Sequence, residues 1–355
     1  MSELSRQELQ RLEKEITDYC SSNRIFGVLR LTKNDHIISE LSFGYADLSS
    51  KKPFTSDSRF SLYSLSKPFC AIGIMLLYEK GLVDLDRHPS EYLPEASDLD
   101  KRLTIRHLLH HISGLPDFEQ CKPLADAKAT GEPDKIREQL KILACEKLHF
   151  PPASAVEYAN INMIIPALIM ENLSGLPYAE YLRREVLLPL GMTSTEVDRR
   201  GLILPNCVQG YKLDESGAVV PTVKSYDWML GAGDLVGTIE DVYALNRAIK
   251  HELLLSHESW QMILTVSPNG RFGMGCTVYE QYGRKIIKHN GGHSGFRTLH
   301  LQIPADDLDL IFLSNSGYGK AREAIIDLVL STFYGESKST DTDIPAMDKG
   351  YIPEC

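Results

Sequence analysis

Positive charge is in short supply. Lys and Arg number 38 against 48 Asp and Glu, a formal net charge of −10 at pH 7. A field of that sign repels phosphate, which excludes nucleic acids and anionic membrane surfaces as partners and leaves a small-molecule or short-peptide substrate. Long apolar runs are missing too. The longest, Phe69 to Tyr78, is broken by Cys70 and Gly73. It reaches about half of the ~20 residues that span a bilayer, so it reads as a buried helix and no membrane span is expected. No CxxC pair occurs. The seven cysteines, Cys20, Cys70, Cys121, Cys145, Cys207, Cys276 and Cys355, are scattered and odd in number, which speaks against a disulfide framework or a zinc site. Between Met1 and Glu15 there is no basic start followed by an apolar segment of the kind that directs secretion. A reducing, cytoplasmic setting is therefore expected. No internal repeat is visible, and 43% hydrophobic with 24% charged residues excludes disorder and fibres.

What is present divides the chain into two kinds of region. Ser5 to Glu8 reads as a capping box ahead of Leu9, Leu12, Ile16 and Tyr19, one apolar stripe of a helix. Phe26–Leu31 and Ile37–Phe43 are strand-like runs around the turn signal Lys33-Asn34-Asp35, a hairpin. From Ala71 to about Gly191 helical segments alternate with the breakers Gly81, Gly114-Leu115-Pro116, Pro151-Pro152 and Gly175-Leu176-Pro177. Strand-like runs return at Gly273–Tyr279, Lys285–His289, Thr298–Ile303 and Leu308–Leu313, before an amphipathic helix from about Lys320 to Tyr334. The expected fold is α/β (α+β): one antiparallel sheet built from both ends of the chain, covered by the terminal helices, with a mainly helical region inserted. As domains this gives 1–75 with 215–335, a helix-rich 76–214, and a polar tail 336–355. A cleft is expected between the two parts.

Three short motifs carry chemistry. Ser64-Leu65-Ser66-Lys67 is an S-x-x-K, which puts an alcohol and an amine on one face of a helical turn. The pattern arises cheaply: Ser49-Ser50-Lys51-Lys52 also fits, but it lies in a polar turn where the lysine stays a solvated cation. Ser64 instead precedes a buried helix, and Pro68, tolerated only in a first turn, sets that helix's start within a few residues. The second motif is Tyr158-Ala159-Asn160, which by itself reads as a tyrosine packed at a helix entrance with an asparagine cap. The third is His289-Asn290-Gly291-Gly292, a histidine in a glycine-rich turn, with His293-Ser294-Gly295 as a competing H-x-G.

Their order, S-x-x-K, then Y-x-N, then H-x-G, resembles the serine β-lactamase and penicillin-binding superfamily. The branch is that of class C β-lactamases, DD-peptidases, D-amino acid amidases and related esterases. The resemblance extends through Gly44-Tyr45-Ala46-Asp47-Leu48, Gly81 to Asp86, Thr104 to Pro116, Leu187 to Met192, Gly231 to Leu235 and Leu313-Ser314-Asn315. It implies the β-lactamase/transpeptidase-like fold, acylation of Ser64, and general-base work shared by Lys67 and Tyr158. Asn160 would orient Lys67 or the substrate amide, and the N–H groups of Ser64 and Gly292 would form the oxyanion hole. His289, Asn290, Gly291, Gly292 and Arg297 would bind substrate, with His293 and Ser294 as the free pair before Gly295-Phe296. Many relatives carry Lys-Thr-Gly or Lys-Ser-Gly where this chain has His289-Asn290-Gly291. A histidine of pKa near ~6.5 is about a quarter protonated at pH 7, so carboxylate-bearing β-lactams should bind weakly unless Arg297 supplies the charge.

The expected activity is that of an esterase or D-amino acid amidase or peptidase. The alternatives are a weak β-lactamase or DD-carboxypeptidase, an acyltransferase, and a non-catalytic penicillin-binding sensor. The last would be marked by loss of Ser64, Lys67 or Tyr158, and all three are present. No cofactor is expected. His107, His110 and His111, or His289 and His293, raise the option of a metal hydrolase, but His-Glu-x-x-His is absent and Thr104 to Pro116 matches a structural stretch of the family.

Overall fold

The computed structural model describes residues 4–120, 133–199, 202–223, 229–267 and 270–335. The expected tail 336–355 lies outside them, as do residues 121–132 and 224–228.

Helix α1, Arg6–Ser22, begins at the Ser5–Glu8 capping box and buries Leu12, Ile16 and Cys20. Strands β1, Gly27–Lys33, and β2, His36–Phe43, form the hairpin; Asn34 and Asp35 both take positive φ, 52° and 61°, as a tight two-residue turn requires. β1 is buried almost throughout whereas β2 is largely exposed, because β1 is an inner strand and β2 an edge. Short strands β3, Phe60–Ser61, β4, Glu196–Val197, and β7, Leu235–Gly237, make a small sheet in the order β3-β7-β4. β5, Tyr211–Leu213, and β6, Val219–Pro221, pair separately. The last strands are β8, Thr277–Gln281, β9, Arg284–His293, β10, Phe296–Ile303, and β11, Leu308–Ser314.

The main sheet has the order β2-β1-β11-β10-β9-β8, and its pairings are antiparallel. Gly27 of β1 sits opposite Ser314 of β11, so the two ends of the chain meet at the centre of the sheet. One face is covered by α1 and by the last helix, Ala321–Tyr334, through Leu12, Ile16, Ile325 and Val329 against Leu29, Leu31, Leu301 and Phe312. The opposite face joins the helical region: α2, Lys67–Glu79, α3, Ile105–Leu109, α4, Pro133–Leu143, α5, Ile161–Ser174, and α6, Tyr178–Leu182, followed by α7, Ile239–Lys250, and α8, His257–Leu264. The Ala321–Tyr334 helix is α9. α2 has almost no polar face because it is buried on all sides, from Lys67 to Met75. It also runs through residue 75 unbroken. We propose that 1–75 with 215–335 and 76–214 are two packing units, tied together by this helix.

One element differs from its expected form. Asn290 to His293 continue strand β9 instead of turning, and the turn falls at Ser294-Gly295. The glycines serve close packing. A Cβ on Gly291 would lie 2.0 Å from the carbonyl oxygen of Leu62 and 2.3 Å from Thr298 Oγ1. Among the described residues no helix is long and apolar enough to cross a membrane.

Candidate active site

Ser64 sits in a 3-10 turn, Tyr63–Ser66, that leads directly into α2. Tyr63 has φ 49°, a conformation that costs a non-glycine residue roughly 1–3 kcal/mol and must be held by its surroundings. They do hold it. Ser66 Oγ donates to the Tyr63 carbonyl at 2.6 Å and accepts the Leu235 N–H at 3.0 Å. Thr298 Oγ1 donates to the Leu62 carbonyl at 2.8 Å, which fastens the turn to the sheet.

Lys67 lies one turn on from Ser64 and is wholly buried. Its Nζ is 3.0 Å from Ser64 Oγ and donates to Asn160 Oδ1 at 2.9 Å and to the Ala232 carbonyl at 2.5 Å. Burial strips water from the ammonium and pulls its pKa down to about 7; Asp117, Cys70 and Asp234 oppose the shift without reversing it. Tyr158 donates its hydroxyl to Ser64 Oγ at 2.7 Å, and Lys67 Nζ stands 4.7 Å from the centre of its ring. Burial raises the Tyr158 phenol pKa despite the Ser64 contact, so the phenol holds its proton at neutral pH. Asn160 precedes α5 but makes no side-chain cap; its amide is spent on Lys67 and Asp117.

Two residues complete this wall in roles that the sequence did not show: His111, named above only as a candidate metal ligand, and Asp117. The His111 ring stacks on Tyr158, centroids 4.7 Å apart and planes at 23°, and its Nδ1 accepts the Ala159 N–H at 3.3 Å. Burial holds that imidazole neutral. Asp117 binds Asn160 from behind, and the only signal for it was an acid directly after the Gly114-Leu115-Pro116 breaker. Of the other histidines raised as metal ligands, His107 and His110 are bonded to backbone groups. His107 Nδ1 accepts the Thr104 N–H at 3.3 Å, and His110 Nδ1 meets the Phe272 carbonyl at 3.1 Å.

β9 supplies the opposite wall. His289 is buried, donates from Nδ1 to the Asn290 carbonyl at 2.7 Å and has no partner for Nε2 among the described residues. Its pKa falls to about 3, through burial first and the nearby Lys67 charge second. The expectation of partial protonation is thereby corrected: His289 is a neutral imidazole throughout the physiological range. Arg297 pairs with Gly292 across the β9–β10 register and donates from Nη1 to the Phe296 carbonyl at 2.9 Å. Ser49, the other S-x-x-K serine, bonds to Asp47 Oδ1 in an exposed turn.

Residues 9–332 match the model of the family described as Beta-lactamase. The chain belongs to that family. Penicillin-binding protein 4* of Bacillus subtilis (strain 168) is 30% identical over 340 residues, covering 89% of this chain and 73% of that protein. A D-aminopeptidase of Gluconobacter oxydans (strain 621H) is 24% identical over 322 residues, covering 88% of this chain and 60% of its own length. The crystal structure of a D-amino acid amidase from Ochrobactrum anthropi SV3, complexed with L-phenylalanine amide, matches with a TM-score of 0.77 and 25% identity over 92% of this chain and 98% of that one. This β-lactamase-related protein is an enzyme, a serine hydrolase with the family's mixed sheet-and-helix architecture.

Proposed function

We propose that the protein is an esterase or D-amino acid amidase or peptidase that works through a covalent acyl-enzyme on Ser64. The observation that carries this reading is the double approach to one oxygen: Tyr158 at 2.7 Å and a lysine poised near neutrality at 3.0 Å. When Lys67 is neutral, two N–H groups go to Asn160 Oδ1 and Ala232 O, and the remaining lone pair faces Ser64 Oγ. Ser64 then gives its proton to Lys67 as the bond from Oγ to the acyl carbon forms. That proton passes by way of Tyr158 to the leaving alcohol or amine as the old ester or amide bond breaks. Water attacks the acyl-enzyme and loses a proton along the same route, and Ser64 Oγ regains its hydrogen. The N–H groups of Ser64 and Gly292 take the oxyanion, with Asn290 and Gly291 lining the approach.

The neutral His289 favours uncharged acyl or D-amino acyl groups over carboxylate-bearing β-lactams. A missing charge-assisted hydrogen bond costs about 1.5–3 kcal/mol, roughly ten- to a hundredfold in binding. The D-aminopeptidase and D-amino acid amidase relatives support the amide side of this reading. No cofactor enters the scheme, and the substrate is a small molecule or short peptide. A cytoplasmic location belongs to the same proposal, supported by the buried thiols of Cys20, Cys70 and Cys276. The test compares kcat/KM for a short-chain nitrophenyl ester, a D-amino acid amide and a chromogenic cephalosporin, together with the mass added to Ser64. The ester or amide should exceed the cephalosporin at least tenfold. Efficient cephalosporin turnover that survives Arg297→Ala would refute the preference.

A further inference from the structure

The carboxylate of Asp117 is spent mainly on the segment that carries Asn160. Its Oδ2 accepts the Asn160 backbone N–H at 2.8 Å and the Asn160 side-chain N–H at 3.0 Å. Its Oδ1 accepts the N–H groups of Ile161 at 3.2 Å and Phe118 at 3.0 Å. An asparagine amide can rotate by half a turn and exchange its oxygen for its nitrogen. If Asn160 did so, it would turn N–H donors toward Lys67 and withdraw one of the two carbonyl acceptors that hold the amine, leaving the Ala232 carbonyl. A carboxylate bound to the amide nitrogen forbids that exchange.

We infer that Asp117 is a positioning residue for the reaction: it locks the Asn160 amide so that its oxygen, with the Ala232 carbonyl, aims the Lys67 amine at Ser64 Oγ. This rests on the acyl-enzyme reading above and extends it to a residue outside the three motifs. Fixing two N–H directions on a tetrahedral nitrogen fixes the third, so the orientation of the lone pair depends on an acid that touches neither Lys67 nor Ser64. Asp117 also acts on the amine through space. Lys67 is faced by Asp117, Asp234, Cys70, His111, His289 and Tyr158, and among these the Asp117 charge most opposes the desolvation of the ammonium. Removing it must therefore lower the Lys67 pKa further.

Asp117→Asn is the test, since it keeps the shape and removes the charge. The expected result is a loss in kcat of about ten- to a hundredfold with KM within about twofold. Carbon-13 lysine NMR should show Lys67 titrating at lower pH by roughly half a unit or more. In an Asn160→Ala background the same substitution should cost less than about threefold, because the amide it orients is gone. An unchanged kcat, an unmoved Lys67 titration or a full loss in the Asn160→Ala background would each overturn the inference. Should Asp117→Asn not fold, Asp117→Glu keeps the charge and displaces it: kcat should fall while Lys67 titrates as in the parent, and a parental kcat would overturn the inference. The NMR titration uses no substrate. Full activity in Ser64→Ala would remove the nucleophile assignment and leave that result standing.

Discussion

A lysine deprived of water must find a counter-charge or release its proton, and Lys67 has only partial compensation. The acids near it, Asp117 and Asp234, are themselves buried, and burial raises the pKa of each above its ordinary value, Asp234 to about 7. The amine is therefore a usable base at pH 7, whereas the phenol of Tyr158 is not. We expect kcat/KM on a neutral ester to rise with pH through an apparent pKa near 7, and a profile flat from pH 5 to 9 would contradict this. The same burial costs stability. The unfolded chain titrates Lys67 near 10.5 and the folded one near 7, so between these values the unfolded state holds the extra proton and stability rises with pH. Below pH 7 the full penalty is present, so Lys67→Met should resist urea better than the parent at pH 6, the advantage shrinking towards pH 10. Rates divide differently. Ser64→Ala should abolish turnover with the fold intact, and Ser49→Ala should be nearly silent. Lys67→Ala and Tyr158→Phe should each lose about 10²–10⁴ in kcat, and together little more than either alone, because they serve one proton path.

β9 shows why a glycine pair in a strand need not mean a turn. Strand β10 and the Ser64 turn both press on it, and at Gly291 the space is so short that any side chain would strike the backbone of Leu62. At Gly292 a Cβ would meet Arg297 Cδ at 3.1 Å, a flexible side chain able to give way, with the Phe296 carbonyl at 3.3 Å. Gly291→Ala should thus cost about 2 kcal/mol or more in urea denaturation, and Gly292→Ala less than about 1.5 kcal/mol. Equal losses would mean that the Ser64 turn does not rest on β9. α5 makes a similar point. Its cap residue, Asn160, forgoes the usual bond to its own helix, and Asp117 supplies acceptors to the Asn160 and Ile161 N–H groups instead, which frees the amide oxygen for Lys67.

Across the molecule, the sheet separates two apolar clusters with different duties. The outer one, under α1 and α9, holds Leu12, Ile16, Ile325 and Val329 and contains none of the residues around Ser64. The inner one holds Leu62, Tyr63, Leu65 and Ala159 and reaches the helices. Leu12→Ala should therefore destabilise the protein by about 2–4 kcal/mol in equilibrium unfolding while kcat of the folded enzyme stays within about twofold of the parent. A proportionate fall in kcat would show that the outer layer shapes the site.

Local rules were enough for the elements whose signals are short-range. The capping box at Ser5, the Asn34-Asp35 hairpin and the Pro68 helix start depend on neighbours a few residues away, and each is legible in the amino-acid order. The order of Ser64, Lys67, Tyr158 and His289 likewise pointed to the family before any contact was known. What the order could not decide depends on groups far apart in sequence. Lys67 and Asn160 are 93 residues apart, and Lys67 and Ala232 are 165 apart. Asp117 was invisible for the same reason, as its worth lies in holding a residue 43 positions later. His289 was misjudged in charge because protonation follows burial and nearby cations, and both are set only when the strand docks against the helices. Spacing along the chain determined which groups are present, and packing decided their charge and aim.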